Sequence, residues 1–135
     1  MQNVEALLVM PPHINRLIEL FRSATTASLR VLLRPLIDMM MKSEELSRHL
    51  SASGLFVSCL VRRLGETSDA FLLRSLIALI RLIHTNHSCP STLVLNFGIY
   101  EKLRRLAEAS QAAQQVVVFE KVKNLLKEIQ HTTFS

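Results

Sequence analysis

Two stretches of this chain repeat one another, "LLRPLIDMM" (Leu32–Met40) and "LLRSLIALI" (Leu72–Ile80), forty residues apart. Shorter echoes accompany them. "ASGLF" (Ala52–Phe56) pairs with "NFGIY" (Asn96–Tyr100) at forty-four residues, and "LVRRL" (Leu60–Leu64) with "KLRRL" (Lys102–Leu106) at forty-two. A unit of that size cannot bury its apolar face alone, so units must stack on their neighbours. Inside the units the apolar period is helical. Ile14, Leu17, Ile18 and Phe21 follow the i, i+3, i+4, i+7 rule, and Leu29, Leu32, Leu33, Leu36, Ile37 and Met40 extend it over three turns.

Composition excludes the main competitor. A β-sandwich or barrel needs frequent turn residues and many aromatics, whereas these 135 residues hold 3 Gly, 4 Pro and 5% aromatics. Apolar residues make up 49%, enough for one domain to bury about two thirds of its unfolded surface. Fully apolar runs such as Leu76–Ile80 are far below the ~18 residues a membrane span requires. The weak apolar run ahead of Pro11 and Pro12 lacks the basic-then-apolar layout of a signal peptide. A cytoplasmic chain without a membrane span is expected.

Local signals divide the chain into medium, long, short, medium, long, short, medium and long helices. Pro35 should bend or split the first long helix near Arg34. Ser43 is a candidate N-cap for "SEELSRHLSAS", with Glu44 and Glu45 in the first turn and Gly54 as a left-handed stop. Leu55–Leu64 forms a further helix ended by Gly65, and Ser68 or Asp69 caps the next. That one ends in "HTNHSCP", where Pro90 forbids continuation. Ser91 opens a short helix halted at Gly98, Ile99–Ala109 follows, and Val118, Val122, Leu125, Leu126 and Ile129 mark the last, with "HTTFS" as a frayed tail.

The predicted fold is therefore all-α. It is a right-handed α-solenoid of about three armadillo/HEAT-like repeats in a single domain over residues 1–135, with units near 13–42, 43–86 and 87–131. In such a stack the third helix of a unit is covered on most of its circumference, which suits the nearly all-apolar "LLRSLIALIRLIH". Its remaining face lines the concave side. Residues seven apart differ by only ~20° of rotation, so Arg74 and Arg81 share that face, and Arg34 is the repeat equivalent of Arg74. These three arginines are the candidate partner-binding line. The plainer alternative is solvated arginines, or stems lying over apolar neighbours.

Other features carry less. The run Met39, Met40, Met41 reads as core filler, or as a self-association site if a solenoid end leaves it bare. The charge of +5 permits an acidic partner without selecting nucleic acid. The basic clusters Arg62–Arg63 and Arg104–Arg105 have no flanking aromatics for base stacking, so a small basic nucleic-acid binder is the minor alternative, beside a homodimerisation adaptor. His84, His87 and Cys89 have no second ligand pair to complete a zinc site, so no metal or other cofactor is assigned. Cys59 falls on an apolar helical face as a small hydrophobe, and two cysteines make no disulfide framework. Nucleophile elbow, phosphate loop and dinucleotide fingerprint are all missing, and Glu44 and Glu45 diverge by about 100°, so no catalytic residue is assigned.

"LIDMMMKSEELSRHLSASGLFVSCLVRRLG" and the following "LLRSLIALIRLIHTNHSCPSTLVLNFGIYEKLRRLAE" resemble the extreme C-terminal armadillo-type region of the septation-initiation kinases. These are the epsilon-class mitogen-activated kinase kinase kinases of plants and their fungal and protist relatives. The likeness runs from about Ile14 to Ile129. It includes Lys42-Ser43, Gly54-Leu55 and Leu64, the turn His84, His87, Pro90, and Lys102-Leu103. The resemblance implies a non-catalytic tail of a Ser/Thr kinase of cytokinesis or cell-division control, since the chain carries no "DFG", "HRD" or Gly-rich loop. It further implies a protein partner such as a small GTPase-type regulator, self-association, and placement at a spindle pole or division site through the parent protein.

Overall fold

The computed structural model describes residues 11–134, and the apolar run ahead of Pro11 lies outside them. Among the described residues there are eight helices and no strand. They are α1 (Pro11–Ser23), α2 (Thr26–Lys42), α3 (Glu44–Ser51), α4 (Gly54–Leu64), α5 (Ala70–Asn86), α6 (Pro90–Phe97), α7 (Ile99–Ala112) and α8 (Val116–Phe134). The all-α expectation and the alternation of lengths are both met.

Side-chain caps set several helix starts. The Thr25, Ser43, Ser53 and Asp69 side chains accept from the backbone N–H groups of Ser28, Leu46, Phe56 and Leu72, satisfying donors that helix geometry leaves orphaned. Pro90 stands at the first position of α6, where its missing N–H costs nothing, so this helix begins one residue before Ser91.

Three expectations need correction. Gly54 is no left-handed stop; it is the first residue of α4, because Ala52 closes α3 in right-handed geometry and Ser53 caps the next helix. The left-handed glycine is Gly98, at φ 60°, between α6 and α7. Pro35 does not split α2, which runs unbroken from Thr26 to Lys42. Both Pro35 and Val31, whose carbonyl loses its helical donor, lie on the solvent side, where water can satisfy that carbonyl. The final helix continues to Phe134, through most of the expected tail.

Helix α5 is the hub, packing against α2, α3, α4, α6 and α8. Leu72, Leu73, Leu76, Ile77, Leu79, Ile80, Ile83 and His84 are all buried, which explains why its apolar residues run round nearly the whole circumference. Each aliphatic side chain so enclosed contributes ~1.5–3 kcal/mol. Phe21 of α1 meets Phe56 of α4 with ring centroids 5.0 Å apart, both fully buried. Cys59 belongs to the same core as a free, buried thiol.

The three long helices lie side by side and point the same way. Arg30 of α2 pairs with Asp69 at the start of α5 (2.6 Å), while Met41 and Leu82 line one recess towards the far ends of the two helices. Between α5 and α8, Gln115 donates to the Ser68 carbonyl (2.9 Å) at one end and Arg81 pairs with Glu128 towards the other. Both latter contacts span forty-seven residues, so α5 and α8 keep one register along their length.

Candidate functional site

One surface groove follows from that parallel layer. It is lined from α2 by Arg34, Ile37, Asp38 and Met41, from α5 by Arg74, Ile77, Ala78, Arg81 and Leu82, and from α8 by Lys121, Asn124 and Leu125. On each helix the lining residues recur at three, four or seven positions, as one face of a helix requires. The apolar floor is continuous with the core, since Ile77 and Leu125 are buried and Ile37 and Leu82 half-buried. Its two overlapping recesses enclose about 240 and 340 Å³. These lie at the lower edge of the ~300–1,000 Å³ of small-molecule sites, and each has room for one or two side chains of an incoming chain.

Arg34, Arg74 and Arg81 are thus brought to one groove, but they differ electrically. Arg34 lies 3.7 Å from Asp38 one turn on, with its side chain largely solvated. Arg81 is held at two points by Glu128, an interaction that raises the guanidinium pKa and holds the Glu128 carboxyl below its ordinary value. Arg74 makes no hydrogen bond or ion pair among the described residues, and neither does Lys121. Sequence reasoning missed Lys121 and Glu128. They lie seven residues apart on α8, the same spacing as Arg74 and Arg81 on α5, but attention to the inward stripe of α8 hid the outward one.

The methionine run is divided. Met40 is 2% exposed and belongs to the core, so it is withdrawn from any self-association surface. Met39 is half-buried, and Met41, 69% exposed, forms the lip of the groove.

The basic clusters are also divided. Arg63 is half-buried, and its Nη2 donates to the carbonyls of Phe21, Arg22 and Ala24 at 3.0, 3.0 and 2.6 Å. Its guanidinium stands over the Phe21 ring. A cation that closes the C-terminus of α1 in this way is not available to phosphates. Arg62 lies by Glu66 (3.7 Å) and Arg104 by Glu101 (3.7 Å), leaving Arg105 with Lys102 beside the end of α4.

At the α5–α6 turn, His87 Nδ1 accepts from the Cys89 backbone N–H, and the Cys89 thiol meets the Thr92 hydroxyl, which lowers the thiol pKa. His84 points inward and is 6% exposed, with its Nε2 lacking a partner. Burial depresses its pKa, Glu128 opposes that shift and His87 adds to it. No group of three or more His, Cys, Asp or Glu among the described residues is placed to hold a metal. Nor is any helix among them long and apolar enough to cross a membrane.

An all-helical layer with a basic, apolar-floored groove defines a class of architecture rather than an activity, and comparison with known proteins narrows it. No protein-family model matches, and no solved structure does. The chain is 27% identical over 136 aligned residues to MAP3K epsilon protein kinase 1 of Arabidopsis thaliana. It is 26% identical to MAP3K epsilon protein kinase 2 of the same plant and to MAP3K epsilon protein kinase 1 of Brassica napus. In each case 98% of this chain aligns with 10% of the relative, so it spans about a tenth of the length of the curated relatives it matches. The chain is related to a segment of MAP3K epsilon kinases. The described residues hold no strand to carry the phosphate-binding lysine of a protein kinase.

Proposed function

We propose that this chain is a non-catalytic protein-interaction module, an armadillo-type α-solenoid of about three units that serves as a regulatory tail of a Ser/Thr kinase of cell-division signalling. One observation carries the reading: α2, α5 and α8, the long helices of the three units, lie parallel in one layer and bring Arg34, Arg74 and Arg81 to a shared groove. A second parallel supports the unit boundaries. Arg63 of α4 closes the end of α1, and its repeat equivalent Arg105 of α7 lies beside the end of α4 at Leu64 and Gly65. Corresponding residues of successive units thus reach back to corresponding places. The groove is the concave docking face for a protein partner, and Met41 at its lip adds apolar contact.

The test has two arms. A protein retained by the chain from extracts is purified, and its affinity is measured for the wild type and for the Arg34→Glu/Arg74→Glu/Arg81→Glu variant. Loss of about tenfold or more is expected, which corresponds to ~1.4 kcal/mol. Unchanged affinity and unchanged salt dependence would contradict the groove. Sequencing the adjoining coding region tests the kinase context, and a Gly-rich loop with its downstream lysine and "DFG" is expected there.

A further inference from the structure

We infer that the groove receives an acidic segment with apolar anchor side chains, whose carboxylates are taken by Arg74 and Lys121. This rests on the docking reading above and adds the chemistry of the occupant. Four cations stand round the floor: Arg34, Arg74, Arg81 and Lys121. The protein's own carboxylates answer two of them, Asp38 for Arg34 and Glu128 for Arg81. Arg74 and Lys121 are left, facing the same recess from α5 and α8 with no partner among the described residues. A cation is most useful to a ligand when the protein has not already neutralised it.

The floor decides between classes of anion. Ile37, Ala78, Leu82 and Leu125 form a recess of about 240 Å³, room for one or two side chains of an incoming chain. A nucleic acid would leave that recess unfilled and would need open aromatic faces for its bases, whereas Phe71, the aromatic at this groove, carries the Arg30 guanidinium 4.9 Å from its ring centroid. An anionic membrane calls for apolar side chains standing outward from a basic surface, the reverse of apolar groups recessed between cations. A chain with carboxylates flanking leucine-like residues satisfies both charge and shape. Glu128 then acts as an internal competitor, because it occupies Arg81 at the edge of the same groove.

The experiment uses the full chain and short fluorescent peptides in which Glu flanks Leu, at helical spacing in one and extended spacing in another. Controls replace every Glu by Lys or every Leu by Ser; vesicles of phosphatidylcholine with phosphatidylserine and a single-stranded RNA complete the set. A Glu/Leu peptide is expected to bind, and both control peptides to bind at least about tenfold more weakly. The Arg74→Glu/Lys121→Glu variant should lose about tenfold or more, and Glu128→Gln should tighten binding a few-fold by freeing Arg81. Circular dichroism checks folding, and Arg74→Gln/Lys121→Gln replaces the reversal if helicity falls. Equal binding of Glu and Lys peptides would overturn the inference. So would wild-type affinity in either double variant, or tighter binding of vesicles or RNA that is lost with the same two residues. If Glu/Leu peptides fail while the triple arginine reversal still abolishes a purified partner, the acidic class falls and the docking face stands. If the peptides bind as expected but that partner ignores the reversal, the groove chemistry stands and its use by that partner falls.

Discussion

Arg81 on α5 and Glu128 on α8 grip each other at two points across forty-seven residues of sequence, and Glu128 also faces the buried His84 one turn away from Arg81. The pair is about half exposed on both sides, which limits its worth to under about 1 kcal/mol. A double-mutant cycle of Arg81→Ala and Glu128→Ala, followed by urea unfolding, should give a coupling below that figure and smaller still in high salt. Coupling of several kcal/mol would mean that the pair stabilises the fold and does not chiefly tune the groove.

His84 makes the fold sensitive to mild acid. Its pKa is depressed by burial, so below the ordinary histidine value of ~6.5 the unfolded chain binds a proton that the native state resists. Stability contributed by neutral His84 is therefore present above pH ~6.5 and declines as pH falls below it. Glu128 opposes the shift and His87 reinforces it. Thermal unfolding compared between about pH 7.5 and about pH 5.5 should show a drop that His84→Gln reduces. An identical drop in the variant would place the sensitivity elsewhere.

Arg63 is a structural cation. Arg63→Ala removes the donor from three carbonyls at the end of α1 and should cost about 1–3 kcal/mol in denaturant unfolding. Arg63→Lys should recover only part, because a compact ammonium can serve the carbonyls that Nη2 serves but loses the planar guanidinium standing over the Phe21 ring. Full recovery would show that charge alone suffices.

Two turn residues share positive φ but not residue type. Gly98 has φ 60° with open space around an added Cβ, so Gly98→Ala should cost ~1–2 kcal/mol through backbone strain alone. Gln114, between α7 and α8, has φ 61°, so Gln114→Gly should be neutral or stabilising there. Opposite signs in chemical denaturation are the expected result, and equal signs would contradict the turn geometry.

Much of this was legible in sequence for identifiable reasons. The stripe from Leu72 to Ile83 is the buried stripe of α5 because apolar period and helix period coincide, and Arg74 and Arg81 share a face because seven residues nearly close two turns. Ser43 and Asp69 cap as expected because capping depends on residues within the same turn. The sequence did not reveal what Arg81 meets, since the register of α5 against α8 depends on stacking and no local period encodes it. Gly54 misled because glycine permits a left-handed stop without requiring one, and Ser53 offered a cap for an immediate new helix. The inward turn of His84 was hidden by a polar neighbourhood, although it lies one turn past Ile80 on the buried face.

The most direct test of the account is methyl and amide NMR of the full chain titrated with the Glu/Leu peptide. Shifts are predicted at Ile37, Ala78, Leu82, Asn124 and Leu125, and are absent from Leu55 and Leu95, which are exposed away from the groove linings. Shifts centred on Lys102 and Arg105 beside the end of α4, with the α2–α5–α8 groove unchanged, would contradict it.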